Sequence, residues 1–428
     1  MTITTAQPSA DDVRQVLDAF LASLDKELRD INHKIHSNPE LGYEEHKAHD
    51  NIVALLRTQP DVRVTPHAYG LDTSFEAEYS NSTAGSPGRL VVFNVEYDAL
   101  PGIGHACGHN IIATGSLAAF LATVALLRAN PSVPGRVRAL GTPAEEGGGG
   151  KVKLIDAGAF EGVDACMMTH PAAGVMYNAA DRGAHGIPYG TSVASAKFRA
   201  IFTGRTAHAA AAPQDGINAL DAAVLAYNGI SMLRQQILPY ERIHGIIMEG
   251  GEKANVIPSR ARLDYNVRSK TLVQTKALQR RVEKCFEGAA VATGCGIEFE
   301  PLNDYAEVVP NRALCKAYSD FMASIGLPQR PFEHDNEDAV PQPGSYSTDQ
   351  GNVTQLVPGF HPVYRIPADN GASNHTKEFT AAAITDEAYE LTLATAKGMA
   401  ATGWRVLADD QFAAKMKKEF EQYKAKRA

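Results

Sequence analysis

Residues 90–110 read LVVFNVEYDALPGIGHACGHN. The first six are apolar and β-branched apart from Asn94, the pattern of a strand buried on both faces of a parallel sheet. The fifteen that follow crowd carboxylate, thiol and imidazole groups into one loop. Asp, Cys and His are the residue types that hold a borderline-soft divalent metal. A loop just past a strand is where open α/β sheets place their chemistry.

Working outward, residues 111–127 are rich in Ala and Leu and predict a buried helix. Residues 137–140 predict a short strand, followed by the run Gly147–Gly150 and a helix over 151–157. Residues 165–168 predict the next strand. This β-α-β-α-β order implies a doubly wound, mostly parallel sheet with right-handed crossovers. The first strand leads to Asp98, Cys107 and His109, the second to Glu145 and Glu146, the third to His170. Three consecutive strands thus deliver metal-ligand residue types at their carboxyl ends.

Upstream, Val13, Leu17, Phe20, Leu24, Leu28, Ile31 and Ile35 recur at helical spacing, so 11–36 reads as one helix that Pro39 and Gly42 end. From Pro188 the pattern changes. A strand over 193–202, a helix over 216–236, strands over 243–248 and 261–267, a helix over 271–292 and a strand over 296–299 follow. That β-α-β-β-α-β order predicts a ferredoxin-like α+β insertion of about 115 residues. Beyond it come a helix over 312–325, an acidic Pro-rich loop over 333–344, a strand-like 353–357 and a closing helix from Glu378. The expected organisation is a discontinuous catalytic domain, 1–187 and 304–428, around an inserted domain, 188–303.

With 44% hydrophobic and 21% charged residues, the 428-residue chain has a soluble globular composition. A net charge of −8 speaks against a nucleic-acid partner. Five scattered cysteines do not form a disulfide framework and fit a reducing, cytoplasmic compartment. Residues 1–11 have no apolar signal-like core, and no apolar run predicts a membrane span. The charged stretch 415–428 reads as a solvated surface helix.

Cys107-Gly108-His109 is C-x-H, two ligands that can reach one metal or each of a close pair; alone it is equally a buried thiol beside a loop histidine. Adjacent Glu145 and Glu146 in an extended segment point opposite ways. One can bind metal while the other faces the attacking water, the pairing that metal-assisted hydrolysis needs; surface Glu pairs are also common. His170 could be a ligand or a core histidine. His375 is not singled out by spacing among fourteen histidines.

The segments 96–110, Gly141-Thr142-Pro143-Ala144-Glu145-Glu146, Gly204-Arg205-Thr206-Ala207-His208-Ala209, Asn255-Val256-Ile257-Pro258, 347–353 and Asn374-His375-Thr376, in this order, resemble metallopeptidase family M-20. The likeness runs from His36-Ser37-Asn38-Pro39-Glu40-Leu41-Gly42 to the last helix. The resemblance implies a zinc-exopeptidase-like catalytic domain, a lid and dimerisation domain, and two divalent metal ions. Zn is expected first, with Mn or Co as alternatives. It implies Cys107, His109, Glu146, His170 and His375 as ligands and Glu145 as general base. Asp98 would sit behind the ligands and orient one. His208 would reach the partner subunit's site and polarise the scissile carbonyl. Asn255 would contact substrate, and Arg268 would hold a substrate carboxylate. Many relatives use a His-x-Asp pair where this chain has Glu96-Tyr97-Asp98, so Cys107 is expected as a thiolate ligand. His105 is expected to be loop structure. The implied reaction is amide hydrolysis of a small dipeptide or N-acyl amino acid by a homodimer without membrane partners. The alternatives are condensation of an acyl group with an amino acid, deacylation of a specialised metabolite, or a non-catalytic binding protein of the same fold.

Overall fold

The computed structural model describes residues 9–82, 88–173, 183–331, 346–368 and 372–427. Among these the strands are β1 (Arg63–Pro66), β2 (Phe75–Ser80), β3 (Arg89–Val95), β4 (Gly135–Gly141), β5 (Ala165–Met167), β6 (His170–Ala173), β7 (Gly186–Ile187), β8 (Ala194–Thr203), β9 (Arg242–Glu249), β10 (Arg260–Ser269), β11 (Gly296–Tyr305), β12 (Gly359–Phe360) and β13 (Val363–Ile366). The chain divides into two compact units, one of Met1–Thr191, Val308–Gln342 and Asn352–Ala428, the other of Ser192–Glu307 and Pro343–Gly351.

The first unit is built on a mixed sheet of order β1-β2-β4-β3-β5-β12. β3 lies at its centre, parallel to β4 on one side and to β5 on the other, with Phe93 opposite Ala139 and Met167. β5 and β12 are also parallel, while β1 and β2 add antiparallel pairings at one edge. The chain winds from β3 to β4, then returns past β3 to β5. The winding direction therefore reverses beside β3, and the carboxyl ends of these three strands border the switch point.

The apolar run of β3 is explained by burial on both faces. Val91, Phe93 and Val95 belong to one core with Phe120, Val137 and Trp404. Leu90 and Val92 belong to another with Leu140, Leu154 and Phe160. Alternate side chains thus feed opposite layers, each buried large apolar side chain contributing about 1.5–3 kcal/mol. The helix His109–Ala129 is long and apolar enough to cross a membrane by composition, but 94% of that apolar window is buried inside the protein. It is a core helix, with helix Asp386–Ala408 among its neighbours. A smaller sheet, β6-β13-β7, continues from the end of β5.

The second unit holds an antiparallel sheet of order β11-β8-β10-β9 with helices Ala219–Leu233 and Leu272–Thr293. This is the ferredoxin-like arrangement expected from the element order. Phe198, Phe202, Tyr265 and Phe286 form its aromatic centre.

Several expectations need correction. The helix over 11–36 is two helices, Ala10–Ser23 and Asp25–Ser37, broken at Leu24 (φ −107°, ψ 7°) with neither Gly nor Pro to announce it. The strand-like 353–357 lies mostly within helix Gln350–Leu356, and β12 follows as a two-residue strand. Helix His46–Arg57, β1 and β2 were not anticipated. Residues 346–351 join the second unit rather than the catalytic segment 304–428. Val193 N–H donates to the Tyr346 carbonyl at 2.9 Å, and Arg268 Nη1 donates to Ser347 Oγ at 3.0 Å. The Pro-rich loop 333–344 lies outside the described residues.

Candidate active site

Asp98, just past β3, is buried and uses both carboxylate oxygens. Oδ1 lies 3.0 Å from His109 Nδ1, and Oδ2 accepts the Glu146 backbone N–H at 2.9 Å. One side chain therefore ties the loop after β3 to the loop after β4. Donation of Nδ1–H to Asp98 leaves the lone pair of His109 on Nε2. His170 is set the same way: Nδ1 donates to the Pro171 carbonyl at 2.8 Å, and Nε2 faces Cys107 Sγ at 3.5 Å. Between Cys107 and His109, Gly108 has φ +79°, and a Cβ there would sit 2.6 Å from Pro171 Cγ. Only glycine lets the C-x-H loop pass this close to β6.

The turn after β4 is tighter still. A Cβ at Gly150 would meet the Pro143 carbonyl oxygen at 1.7 Å, so the glycine run lets helix Gly150–Asp156 start directly behind the two glutamates. Ala144 has φ +58°, unusual for a residue with a side chain. Its N–H donates to Glu45 Oε1 at 2.8 Å, and Thr73 Oγ1 donates to Glu45 Oε2 at 2.7 Å. Burial pushes the Glu45 carboxyl up to about 7 despite the Thr73 hydrogen bond, with Asp98 adding to the rise.

His375 arrives from the far end of the chain. Its backbone N–H donates to the Ala106 carbonyl at 2.7 Å, and Asn374 Nδ2 donates to the Pro171 carbonyl at 3.1 Å. Its Nε2 then lies 3.2 Å from Glu146 Oε1.

Three donor groups result. Cys107, His109 and His170 form one; Cys107, Glu146 and His375 form the second; in each, the donor atoms lie within 4.8 Å of one another. Cys107 belongs to both, so the two groups share one donor residue. Glu96, His109 and Glu145 form the third. The Cys107–His170 and Glu146–His375 separations, 3.5 and 3.2 Å, match neighbouring donors on one ion, which stand about 3–3.7 Å apart for bonds of about 2.0–2.3 Å. His109 Nε2 faces Glu96 Oε1 and Glu146 Oε1 faces His375 Nε2, each at 3.2 Å, and neither buried atom makes a hydrogen bond of good geometry. Buried lone pairs that converge and lack donors are what a cation satisfies, so these residues fit a metal pair.

The electrostatics agree. Burial pushes the Cys107 thiol up and Glu146 adds to the rise, but His170, helped by His109, outweighs them and brings it down to about 6. Burial likewise disfavours the charged Glu146, yet His375 and His109 hold it below the ordinary carboxylate range. His105 lies outside these groups. It is buried with Nε2 on the Ile35 carbonyl at 3.1 Å, and burial pushes its imidazole down to about 3.

Of the second-unit candidates, His208 and Asn255 are brought together. Ala209 N–H donates to the Asn255 carbonyl at 3.0 Å, and His208 pairs with Val256. His208 Nδ1 accepts the N–H groups of Ala210 and Ala211 at 3.2 and 3.1 Å, so the neutral ring carries its proton on Nε2. Arg268 stands on β10, with Nε on His244 Nε2 at 3.3 Å and Nη1 on Ser347.

Glu45, Glu96, Lys151 and His244 were not foreseen as site residues. Lys151 is fully buried and ion-paired with Glu96 Oε2. As the first residue after a glycine run it read as an ordinary helix start, and no spacing signal marks its partner.

Residues 192–293 match the peptidase dimerisation domain of the M20 peptidases. The Xaa-Arg dipeptidase of Mus musculus is 44% identical over 397 residues, covering 91% of this chain and 88% of that protein. The chain belongs to the M20 metallopeptidase family. Its class is that of metal-dependent hydrolases acting on peptide and amide C–N bonds. The Xaa-Arg dipeptidase of Homo sapiens is 42% identical, with 88% of this chain and 85% of that protein covered. The M20 fold is shared with a solved Bacillus subtilis protein described as a dinuclear metal binding peptidase. It is 21% identical, with a TM-score of 0.61 over 91% of this chain and 99% of that one.

Proposed function

We propose that this M20 enzyme is a dinuclear-metal dipeptidase with Cys107, His109, Glu146, His170 and His375 as ligands and Glu145 as general base. The observation that carries the reading is the pair of three-donor groups sharing Cys107, with Glu145 beside His109. When bound, two divalent ions supply Lewis-acid polarisation and acidify the attacking water. The Glu145 carboxylate takes a proton from that water as its oxygen attacks the scissile carbonyl, then passes it to the leaving amine nitrogen, yielding a carboxylate and an amine. His208 offers Nε2–H as the oxyanion donor from the partner subunit, a role typically worth about 3–4 kcal/mol. Asn255 contacts substrate beside it, and Arg268 holds a substrate carboxylate.

Zn is the first choice for mixed thiolate, imidazole and carboxylate donors, with Mn or Co as alternatives. A homodimer through the second unit is supported by apolar side chains left exposed there. Ile246, Ile247 and Met248 lie on edge strand β9, and Val224, Leu225 and Met232 on helix Ala219–Leu233. All five cysteines are free, in keeping with a reducing, cytoplasmic location.

The substrate reading is a dipeptide with a basic C-terminal residue, in line with the relatives' Xaa-Arg preference and the chain's negative charge. The test is a panel of α- and β-alanyl dipeptides ending in Arg, Lys or Orn, set against N-acyl amino acids and aminobenzoyl-glutamate, with amine release as the readout. Faster cleavage of the N-acyl amino acids would overturn the dipeptide assignment. Mixed dimers of a His208→Ala subunit and a Glu145→Gln subunit should recover activity that neither homodimer has. Verified heterodimers without recovery would remove the role in trans.

A further inference from the structure

We infer that Glu96, tethered by Lys151, is a sixth protein donor to the metal pair, on the His109 side. The inference rests on the dinuclear reading and goes beyond its five ligands, among which Glu96 has no part. Glu96 is buried, and its Oε1 lies 3.2 Å from His109 Nε2, the spacing of two donors on one ion. Nε2 has no hydrogen-bond partner, and Nδ1 already faces Asp98. Two donor atoms therefore converge in a buried pocket, where a metal ion, or a ring proton in its absence, would lie between them. Glu145 completes the same group, so Glu96 faces the proposed base as well as a ligand.

Lys151 explains how the carboxylate stays in place. Its ammonium is fully buried and ion-paired with Glu96 Oε2. The pair holds one carboxylate oxygen and leaves Oε1 turned toward His109. A buried ion pair contributes little net stability against an apolar pair of the same size. Stability alone thus gives no reason for this pair at the foot of the site, whereas placement of Oε1 does. The departure from His-x-Asp at Glu96-Tyr97-Asp98 then replaces one donor type by another rather than deleting one.

The test compares wild type with Glu96→Gln/Lys151→Met, which removes both charges together and spares the fold an unpaired buried ion. Zn(II) affinity is measured by competition with a chromophoric chelator on the metal-stripped dimer. The expected result is one equivalent bound as in wild type and the other weakened by more than ~100-fold. Loss of a group that merely orients a ligand costs about 10–100-fold. A loss within or below that range overturns the inference. Wild type holding fewer than two Zn(II) would instead bring down the dinuclear reading itself, a result distinct from two Zn(II) in both proteins. Lys151→Met alone gives a second reading should the double variant not fold. There Zn(II) becomes the only cation on Glu96, so its addition should raise Tm by more than it does in wild type. An equal rise in the two proteins would count against Glu96 as a donor.

Discussion

His109 and His375 carry the same chemistry in opposite settings. His109 lies on the floor of the site, wholly buried, with Asp98 on one nitrogen and Glu96 facing the other. His375 lies on the rim, its side chain 55% exposed, facing Glu146. Burial pushes the His109 imidazole down, but Glu96 and Asp98 outweigh it and hold it well above the usual histidine range. Cys107 and Glu146 beside it bring His375 up to about 10. In the metal-free protein a proton stands in for the cation at both. The difference lies in what else depends on each ring. The floor histidine neutralises carboxylates that water cannot reach, whereas water can replace the rim contact. The floor is preorganised before metal arrives; the rim is completed by it.

The largest expected effect concerns the base between these regions. Glu145→Gln should lower kcat by ~10²–10⁴-fold while two metal equivalents remain bound, measured by steady-state kinetics beside elemental analysis. Turnover near wild type would remove Glu145 from its role. Next comes the floor itself. In EDTA, His109→Ala should cost about 3–5 kcal/mol in denaturant unfolding, because it strands buried carboxylates. His375→Ala should cost less than about 1 kcal/mol in the same measurement, as a contact open to solvent does. Equal losses would erase the distinction between floor and rim.

Glu45 offers a pH test of the support beneath the β4 turn. Its carboxyl sits at about 7 in the folded protein against an ordinary 4.5, so the folded state binds the proton more tightly than the unfolded one. Its contribution to stability is therefore greatest below pH 4.5 and is lost as pH rises toward 7, by up to about 3 kcal/mol. Glu45→Gln keeps an acceptor for the Ala144 N–H and should remove that slope from the difference between the two proteins' stability–pH curves. A smaller effect than the loss of Glu145 is expected from Asp98→Asn. It preserves shape but loses the charge that fixes the His109 tautomer, and should weaken Zn(II) binding by about 10–100-fold. Unchanged affinity would mean that His109 is oriented by packing alone.

Much of the floor was legible because strands announce themselves. The run over 90–95 is apolar throughout since β3 feeds two cores, and such a run predicts both a central strand and a functional loop at its end. Cys107, His109, the Glu145–Glu146 pair and His170 stood out as candidate donors from strand-end position, whereas the choice of Glu146 as the ligand came from the resemblance. The rim was not legible in that way. His375 sits in a polar loop about two hundred residues past His170 and reaches the site through a backbone hydrogen bond to Ala106. Spacing carries no trace of such a bond, and only the resemblance pointed to it. The break at Leu24 was hidden for a related reason: the apolar stripe continues across it, and tertiary packing turns the chain without a breaker residue.

The sequence by itself determined the layered α/β unit, the ferredoxin-like insertion and the types of donor on offer, because periodicity and strand-end chemistry are local properties of the chain. Only the tertiary structure decided which donors share an ion's worth of space. It also showed that Lys151 lies buried against Glu96 and that Glu45 holds the Ala144 turn from beneath. Those are long-range contacts, made when burial strips water from charged groups and leaves each to find its partner wherever the fold has put one.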